Sequence, residues 1–352
     1  MLYQSIVEAT ELPRIIRLER NVYGAVFSLM KLLPARFMID RAEDNGALTP
    51  QTTVIETSSG TFGLGLAMVC RMRGHRLRIV GDPAIDKNLR ARLRGLGAEV
   101  DIVESVGRTG GYQRARLDRV AELCEQYPDH FVPGQYDSKD NPNAYGHAAE
   151  LITATLGGAD CLVGPVGSGG STGGMASFLR LAEPDMRLIG VDTHGSVIFG
   201  MPDEPRLVRG LGNSLMPANV QHDAYDEAHW VNAAETFRAT RELHETRSLF
   251  MGPTSGAAYL VARWWAARHP DAKVVVLMPD EGYRYQDSVY SDEWLRENGV
   301  RQDELPARPQ LVGAPSSAGT GWSYTEWGRR TLTDVLSGDS SGRGLVAAGA
   351  AI

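Results

Sequence analysis

The sequence predicts an α/β protein in which parallel-rich sheets are covered by helices. Short runs of aliphatic and β-branched residues alternate with stretches of helical periodicity from about residue 53 to residue 279. TVIET (53–57) and KVVVLMP (273–279) have the continuous apolar character of strands buried on both faces. Strands that alternate with helices make a parallel sheet, because each helix returns the chain to the same edge. Such sheets bind ligands beyond the carboxyl ends of their strands, so we expect a crevice there.

The individual elements follow from local pattern in chain order. The predicted strands are 14–19, 53–57, 76–82, 98–103, 161–166, 187–192 and 273–279. The predicted helices are a segment that ends at Asn45-Gly46, then 63–73, 84–95, 112–126, about 143–156, 173–182, about 233–246, and a segment after GPTSGAA through 268. Residues 194–226 are rich in Gly and Pro and are expected to be irregular. Beyond residue 305 the composition resembles a linker or tail, apart from 322–336, which fits one amphipathic helix.

Length and composition narrow the class of protein. The 352 residues suggest about two domains or lobes, and the net charge of −7 argues against a nucleic-acid-binding face. The N-terminus lacks a basic stretch followed by an apolar run, and no apolar window spans a bilayer, so we expect no membrane partner. Cys70, Cys124 and Cys161 lack metal-ligand spacing and are expected to be buried free thiols of a reducing, cytoplasmic compartment. The eight histidines are scattered, so no metal site is predicted.

Two Gly-rich turns are candidate anion sites. Thr57–Ala67 reads as a strand end, a Gly/Ser turn and a helix start, and a helix start presents free N–H groups and a positive dipole. Gly167–Ser171 has the same arrangement with three glycines. An ordinary capped turn is the plain alternative for the first, and close backbone packing for the second. A nucleotide site is a minor alternative, because Asp192 follows at about the right distance although GxGxxG spacing is absent.

Lys31 is the candidate nucleophile. It lies in the apolar run Phe27–Leu33, just before a predicted helix. Its side chain either extends to the surface, which is the commoner outcome, or stays inside, where desolvation lowers its pKa and makes the amine reactive.

Taken in order, these motifs resemble the fold type II pyridoxal-phosphate-dependent enzymes of the cysteine synthase and cystathionine β-synthase family. Lys31 with Pro34-Ala35 resembles the Schiff-base lysine segment, Glu56–Ala67 the substrate-carboxylate loop, and Gly167–Ser171 the phosphate cup. The other matching segments are Gln135-Tyr136 with Asn141-Pro142, Gly190–Asp192 with Gly195-Ser196, Gly210–Gly212, Gly252–Ala258, Pro279–Tyr285 and Ser291–Leu295. Each motif is weak, but their order holds from about residue 14 to residue 296. Within that family the chain resembles the branch that joins phosphoserine to glutamate in siderophore pathways.

The resemblance implies a role for each matched residue. Lys31 is expected to hold pyridoxal 5′-phosphate as an aldimine and to move the α-proton. The ring nitrogen is expected to face the hydroxyl of Thr254, for which a helix N-cap is the plain alternative. Thr61 is expected beside the 3′-oxygen of the cofactor. The expected phosphate ligands are Gly167, Ser168, Gly169, Gly170 and Ser171, and the expected substrate ligands are Ser58, Ser59, Gly60, Thr61, Phe62, Gln135 and Arg209.

Departures from the family pattern concern the substrate more than the cofactor. The family usually has Asn at Thr61 and Thr at Phe62, and the approach to the lysine, residues 23–30, is bulkier here. Phe62 is therefore expected to narrow or reshape the pocket. Arg209 is a candidate partner for a phosphorylated leaving group, with an ordinary surface arginine as the commoner alternative.

The resemblance also implies an architecture and a reaction. We expect a tryptophan-synthase-β-like fold with a larger lobe (1–33 and 134–305), a smaller mobile lobe (34–133), a C-terminal extension (306–352) and a homodimer. The leading function is β-replacement on O-acetylserine or O-phosphoserine through an aminoacrylate, with a thiol, sulfide or amine nucleophile, in amino-acid biosynthesis. The alternatives are a β-eliminating lyase or dehydratase and a non-catalytic ligand-binding protein of the same fold.

Overall fold

A computed structural model describes residues 2–106, 111–301 and 304–337. Two sheets organise these residues: an eight-stranded sheet with the order β1-β2-β10-β7-β8-β9-β12-β11 and a four-stranded sheet with the order β5-β4-β3-β6. The large sheet is mixed but mainly parallel at its centre, and the small sheet is entirely parallel. The predicted α/β class with parallel-rich sheets is confirmed.

The elements have the following bounds. The strands are β1 (Arg14–Arg17), β2 (Val22–Val26), β3 (Thr53–Thr57), β4 (Arg76–Gly81), β5 (Glu99–Ile102), β6 (His130–Phe131), β7 (Cys161–Pro165), β8 (Arg187–Asp192), β9 (Glu227–Trp230), β10 (Val274–Met278), β11 (Gln310–Leu311) and β12 (Ser323–Glu326). The α-helices are α1 (Ile6–Thr10), α2 (Leu32–Asp44), α3 (Thr61–Arg73), α4 (Lys87–Gly95), α5 (Gly111–Gln126), α6 (Asp140–Asn143), α7 (Gly146–Leu156), α8 (Gly170–Leu179), α9 (Ala233–Arg247), α10 (Pro253–Arg268), α11 (Asp292–Glu297) and α12 (Leu332–Ser337). Short 3₁₀ turns lie at His222–Ala224, Gly282–Tyr285 and Pro315–Ser317.

Strand β10 is the centre of the large sheet. Its five residues are fully buried, and successive side chains alternate between two cores, with Val274 and Val276 in one and Val275 in the other. It pairs in parallel with β2 on one side and β7 on the other. The carboxyl ends of these strands therefore lie together, and the segments that follow them meet at one edge.

Strand β2 was not predicted as a strand, although it places the candidate lysine. The predicted strand at 14–19 exists as β1 and forms an antiparallel hairpin with β2. Beyond β2, Phe27 N donates to Met278 O at 2.9 Å and Met30 N donates to Pro279 O at 2.7 Å. These bonds carry the chain along the end of β10 and bring Lys31 to the start of α2.

The small sheet has its own core. Helices α2, α3 and α4 contribute to a cluster that includes Leu32, Phe62, Leu66, Ile79 and Leu89. Two of the three cysteines are buried as predicted, but Cys124 is only half-buried; all three are free. The lobe boundaries at residues 33–34 and 133–134 stay a prediction.

The prediction of one helix over 322–336 is wrong, because Ser323–Glu326 is strand β12 and only Leu332–Ser337 is helical. Strand β12 pairs antiparallel with β9, which is otherwise an open sheet edge. Tyr324 stacks on His229 at 4.9 Å, and Trp327 is fully buried. The expected tail is therefore part of the folded body as far as residue 337, and the rest of the predicted extension lies outside the described residues. Among the described residues, no helix is long and apolar enough to cross a membrane.

Candidate active site

A cavity of about 670 Å³ opens at the carboxyl ends of β2, β3, β4, β7 and β10. Most of the residues predicted for the site lie in its wall. They are Lys31, Ser58, Ser59, Gly60, Thr61, Phe62, Gln135, Gly167, Ser168, Ser171, Arg209 and Thr254. Gly169 and Gly170 are the two predicted residues outside this wall. The fold thus brings together segments that are more than 200 residues apart in the sequence.

Lys31 is held inside the protein. It is the residue immediately before α2, and its Nζ lies 3.1 Å from Ser168 Oγ. Desolvation lowers the pKa of Lys31 from its ordinary value of 10.5 to about 8. An amine with this pKa is partly neutral near pH 7.5 and is available as a nucleophile or base.

The Gly-rich turn before α8 forms a tight cradle. Gly169 has a φ of +81°, and a Cβ there would lie 2.6 Å from Asn219 O. At Gly170 a Cβ would collide with the side chain of Asn141. Helix α8 begins without a side-chain cap, so its first turn offers free N–H groups and the positive end of its dipole. This arrangement suits a phosphate.

Two asparagines support the cradle from behind. Asn141 Nδ2 donates to Ser168 Oγ at 3.2 Å and to the backbone oxygen of Gln135, while its own Oδ1 is buried and has no partner among the residues that the structure describes. Asn219 Nδ2 donates to Ser138 O at 3.0 Å. These bonds fix the segment 135–141 against the turn that contacts Lys31.

The loop after β3 is organised by Ser58. Its Oγ accepts hydrogen bonds from Gly63 N at 2.9 Å and from Gly60 N at 3.2 Å. The hydroxyl therefore caps the start of α3, as the ordinary-turn alternative expected. Gln135 Nε2 donates to Thr57 O at 3.1 Å, which ties this loop to the next segment of the wall.

Phe62 lies in the cavity wall but is 2% exposed, because its ring packs within the core of the small sheet.

Thr254 is the second residue of α10, and the N-cap of that helix is Gly252, which makes no side-chain bond. The N-cap alternative for Thr254 is therefore wrong. Its side chain is buried beside the cavity.

Glu56 is a buried carboxyl behind the loop that the sequence did not single out. It accepts hydrogen bonds from Thr57 N at 2.7 Å and Gly134 N at 2.8 Å, and it is 1% exposed. Desolvation raises its pKa from 4.5 to about 7, although these hydrogen bonds act in the opposite direction. Glu56 joins the end of β3 to the segment that contains Gln135.

Among the described residues, four arginines line the cavity, and only one of them was predicted. Three pair with carboxylates: Arg116 with Asp82 at 3.3 Å, Arg206 with Asp203 at 3.0 Å, and Arg284 with Asp86 at 2.9 Å. The fourth, Arg209, has an exposed side chain and donates to the carbonyl oxygen of Ala84. None of its contacts in the described part of the chain is with a carboxylate. Because the other three arginines already face a carboxylate, Arg209 is the guanidinium in this wall most available to an anionic ligand.

The sequence does carry a signal for Arg116. The buried face of α5 consists of Gln113, Arg116, Val120 and Leu123, which has the spacing of an apolar stripe. The two polar residues of this stripe, Gln113 and Arg116, lie in the cavity wall. A long polar side chain at a core-facing position indicates a buried partner or ligand, because burying it alone is costly.

The fold and the site together define a class of protein: an enzyme that holds a phosphorylated aldehyde cofactor between a lysine and a helix start. The profile of the family described as "Pyridoxal-phosphate dependent enzyme" matches residues 28–280. A relative from Cupriavidus metallidurans, named N-(2-amino-2-carboxyethyl)-L-glutamate synthase, is 34% identical over 336 residues, 90% of this chain and 97% of the relative. A protein of the same name from Ralstonia nicotianae is 34% identical, covering 84% of this chain and 92% of that protein. The solved O-acetylserine dependent cystathionine beta-synthase from Helicobacter pylori superposes with a TM-score of 0.76 at 26% identity, covering 83% of this chain and all of that one.

The chain belongs to the pyridoxal-phosphate dependent enzyme family. The predicted fold class, cofactor and enzyme class, a β-substituting transferase of amino-acid biosynthesis, are confirmed. The residues present fit the cofactor, because the cradle at Gly169 and Gly170 has no room for side chains and the uncapped start of α8 lies beside a desolvated lysine amine. Among the described residues, no cluster of three or more histidine, cysteine or acidic side chains could hold a metal ion.

Proposed function

We propose that the protein joins the β-carbon of an activated L-serine to the amino group of an acidic amino acid, with L-glutamate as the first candidate. The observation that carries this proposal is the set of four arginines in the wall of the cavity that contains Lys31. The name of the C. metallidurans relative supports it, since a 2-amino-2-carboxyethyl group is serine without its hydroxyl. Both partners in that product carry carboxylates, which an arginine-lined cavity would bind.

Each residue near the cofactor has a proposed task. Bound pyridoxal phosphate supplies an electron sink for the carbanion that forms when the α-proton leaves. Lys31 would bind the aldehyde carbon of the free cofactor and, once displaced by substrate, would carry the α-proton on Nζ. Gly167–Ser171 would hold the phosphate through backbone N–H groups. The hydroxyl of Thr254 would contact the ring nitrogen and, being neutral, would not hold it protonated.

The loop after β3 would bind the substrate carboxylate. Ser58 Oγ is used within the loop, so the groups that remain are the hydroxyls of Ser59 and Thr61 and the N–H groups at the start of α3. Ser58 Oγ occupies the N–H of Gly63, the third residue of α3, so Thr61 and Phe62 are the residues whose N–H groups and dipole end would face the substrate. The buried ring of Phe62 would limit the width of the pocket on the side of the small sheet.

The arginines favour a phosphorylated donor. Arg116 is 6% exposed and pairs with Asp82 at 3.3 Å. Arg209 lies at the rim with donor capacity to spare. Together they would stabilise a departing phosphate, which carries about two negative charges, and this need is smaller for acetate from O-acetyl-L-serine, which carries one.

The test is a matrix of donors and nucleophiles. The holoenzyme is mixed with O-phospho-L-serine or O-acetyl-L-serine and with L-glutamate, L-glutamine, sulfide or no nucleophile, and the products are identified by mass spectrometry. The proposal expects an adduct of L-glutamate and the serine skeleton, with faster turnover of the phosphorylated donor. Cysteine as the dominant product with sulfide, with no glutamate adduct from either donor, would overturn it.

We also infer a cytoplasmic homodimer. The resemblance to the family supports the dimer, and the exposed apolar side chains of Leu2 and Ile6, at 88% and 64%, offer surface for a second copy. Light scattering of the purified holoenzyme measures the mass directly, and a monomer at micromolar concentration would contradict the dimer.

A further inference from the structure

Arg284 connects the two sheets across the mouth of the cavity. Its Nε donates to Asp86 Oδ2 at 2.9 Å and its Nη2 donates to the carbonyl oxygen of Ser59 at 2.9 Å. Ser59 follows β3 and Asp86 follows β4, both in the small sheet, whereas Arg284 follows β10 of the large sheet. The arginine side chain is 17% exposed, so solvent screens these charge-assisted bonds only weakly.

The large-sheet end of this connection is firmly anchored. Arg284 lies in the 3₁₀ turn Gly282–Tyr285, whose first residue donates its N–H to Phe250 O at 2.9 Å. At the other end of the turn, Tyr285 OH donates to Asp280 Oδ2 at 2.8 Å, and both side chains are buried. The guanidinium therefore projects from a fixed point toward the small sheet.

The small-sheet end is a turn, residues 82–86, that arginines contact at three points. Arg116 pairs with Asp82, Arg209 donates to Ala84 O, and Arg284 pairs with Asp86. Asp86 has a second task, because its Oδ1 accepts the N–H of Leu89 at 2.8 Å and caps α4. The position of α4 is thereby linked to the same arginine that holds the carbonyl of Ser59.

We infer that Arg284 is a positioning residue that keeps the 82–86 turn and the loop after β3 closed over the cavity, and so sets the ratio of β-replacement to β-elimination. The inference rests on the proposed function. In both reactions the α-proton is lost and the bond from the β-carbon to the leaving-group oxygen breaks. A closed wall retains the three-carbon unit until an amine attacks the β-carbon. An open wall lets the enamine escape, and it then takes up one water to give pyruvate and ammonia.

Matched variants separate closure from folding. Arg284→Gln removes the charge of the arginine, and Arg284→Lys keeps the charge but cannot reach both acceptors with a planar fork. Asp86→Asn removes the carboxylate while an asparagine oxygen still caps α4. Asp118→Asn is the control, since it breaks an exposed arginine–carboxylate pair within α5, outside the cavity wall.

Three measurements are made on the holoenzymes: the KM for O-phospho-L-serine, the pyruvate formed per phosphate released at saturating L-glutamate, and deuterium exchange of peptides covering 82–89. We expect Arg284→Gln and Asp86→Asn to raise the KM about tenfold and the pyruvate fraction severalfold, because each removes a charge-assisted bond. Exchange at 82–89 should rise in both. Arg284→Lys should be intermediate, the double variant should be no worse than Arg284→Gln alone, and Asp118→Asn should match the wild type.

The outcomes distinguish this inference from the proposed function. A wild-type enzyme that forms no L-glutamate adduct from either donor contradicts the proposed function, and deuterium exchange at 82–89 then still tests the role of Arg284. Normal turnover in the wild type, with unchanged pyruvate fraction and unchanged exchange in Asp86→Asn, overturns the inference. If Arg284→Gln fails to fold, Asp86→Asn alone tests the role of Arg284, because an asparagine at residue 86 still caps α4.

Discussion

The amine nitrogen of Lys31 lies 3.1 Å from the hydroxyl oxygen of Ser168, so the start of α2 and the turn before α8 meet at one point of the cavity wall. The two residues belong to segments that follow β2 and β7, and β10 lies between these strands. Every residue proposed to hold the cofactor is positioned by the ends of three neighbouring strands or by loops that contact them. This geometry gives the predictions below their physical basis.

Capture of the cofactor by the apoenzyme should depend on pH through Lys31. Its pKa is lowered to about 8 by burial, and only the neutral amine attacks the cofactor aldehyde. The neutral fraction therefore falls as pH drops below 8, and the rate of capture should rise between pH 6.5 and 9 with a midpoint near 8. Stopped-flow absorbance after mixing apoenzyme with pyridoxal phosphate measures this rate. Lys31→Ala should show no capture band, and a wild-type rate that is flat over this range would contradict the assignment.

Gly169→Ala should weaken cofactor binding by tenfold or more. The substitution places a methyl group 2.6 Å from Asn219 O at a residue with a φ of +81°, and both effects distort the turn that would contact the phosphate. Fluorescence titration of the apoprotein with pyridoxal phosphate measures the loss. Gly173→Ala is the matched control, since it lies in α8 and its Cβ would be 3.9 Å from the same oxygen. That variant should bind normally and be more stable by about 0.5–1 kcal/mol.

Much of the central fold could be predicted from sequence because its strands are apolar without interruption. β3 and β10 are buried at every residue and β8 at every residue after Arg187, and a continuous run of Val, Ile and Leu is the local signature of such strands. β2 lacked this signature, because Gly24 interrupts it. A Cβ there would lie 3.2 Å from both Leu18 and Val26, so a larger residue would crowd these side chains. The crowding comes from neighbours that sequence does not reveal.

The C-terminal segment shows a different limit of sequence reasoning. The residues of 322–336 have helical spacing, but Trp322 and Tyr324 instead alternate with Ser323 along a strand. Residues 323–326 form a strand because the edge of β9 offers backbone groups to pair with and His229 offers a ring for Tyr324 to stack on. No local pattern records that edge. Arg116 and Arg284 were missed for a similar reason, since their carboxylate partners, Asp82 and Asp86, lie in another segment of the chain.

Arg116→Gln should discriminate between donors. The guanidinium is buried, so its loss should raise the KM for O-phospho-L-serine by about tenfold or more while changing that for O-acetyl-L-serine much less. Steady-state kinetics with both donors on the same preparation provides an internal control for folding. Arg116→Lys should restore part of the preference, because it keeps the charge beside Asp82. Equal losses for the two donors would show that Arg116 supports the fold rather than the leaving group.

Trp327→Ala should destabilise the whole protein by about 3–5 kcal/mol, the usual cost of emptying a large buried site. The indole is fully buried, packs edge-on against Phe199 at 5.0 Å and donates from Nε1 to Arg330 O at 2.8 Å. Urea unfolding followed by circular dichroism measures the loss. Tyr283→Ala, at a side chain that is 65% exposed, should change stability little. A Trp327→Ala protein as stable as the wild type would mean that the C-terminal segment adds nothing to the folded body.

Glu56→Gln should change how stability depends on pH. In the folded protein burial raises the pKa of Glu56 to about 7, whereas its ordinary value is 4.5. Between these pH values the folded state binds more protons than the unfolded state, so the contribution of this group to stability falls as pH rises from 4.5 to 7. Glutamine does not titrate and lacks this dependence. It also turns an N–H group toward backbone donors at Thr57 or Gly134, which costs about 1–3 kcal/mol at every pH.

The two effects of this substitution can be separated by measuring unfolding in urea at pH 5, 6, 7 and 8. Glu56→Gln should be less stable than the wild type at pH 5, and the difference should narrow by pH 8, because the wild type alone loses stability through ionisation of Glu56. Burial also raises the pKa of Asp192 to about 7 and that of Asp280 to about 6. Both carboxyls are present in the variant and in the wild type, so their contributions cancel in the difference. A difference that stays constant from pH 5 to pH 8 would show that Glu56 is already ionised in the folded protein at pH 5.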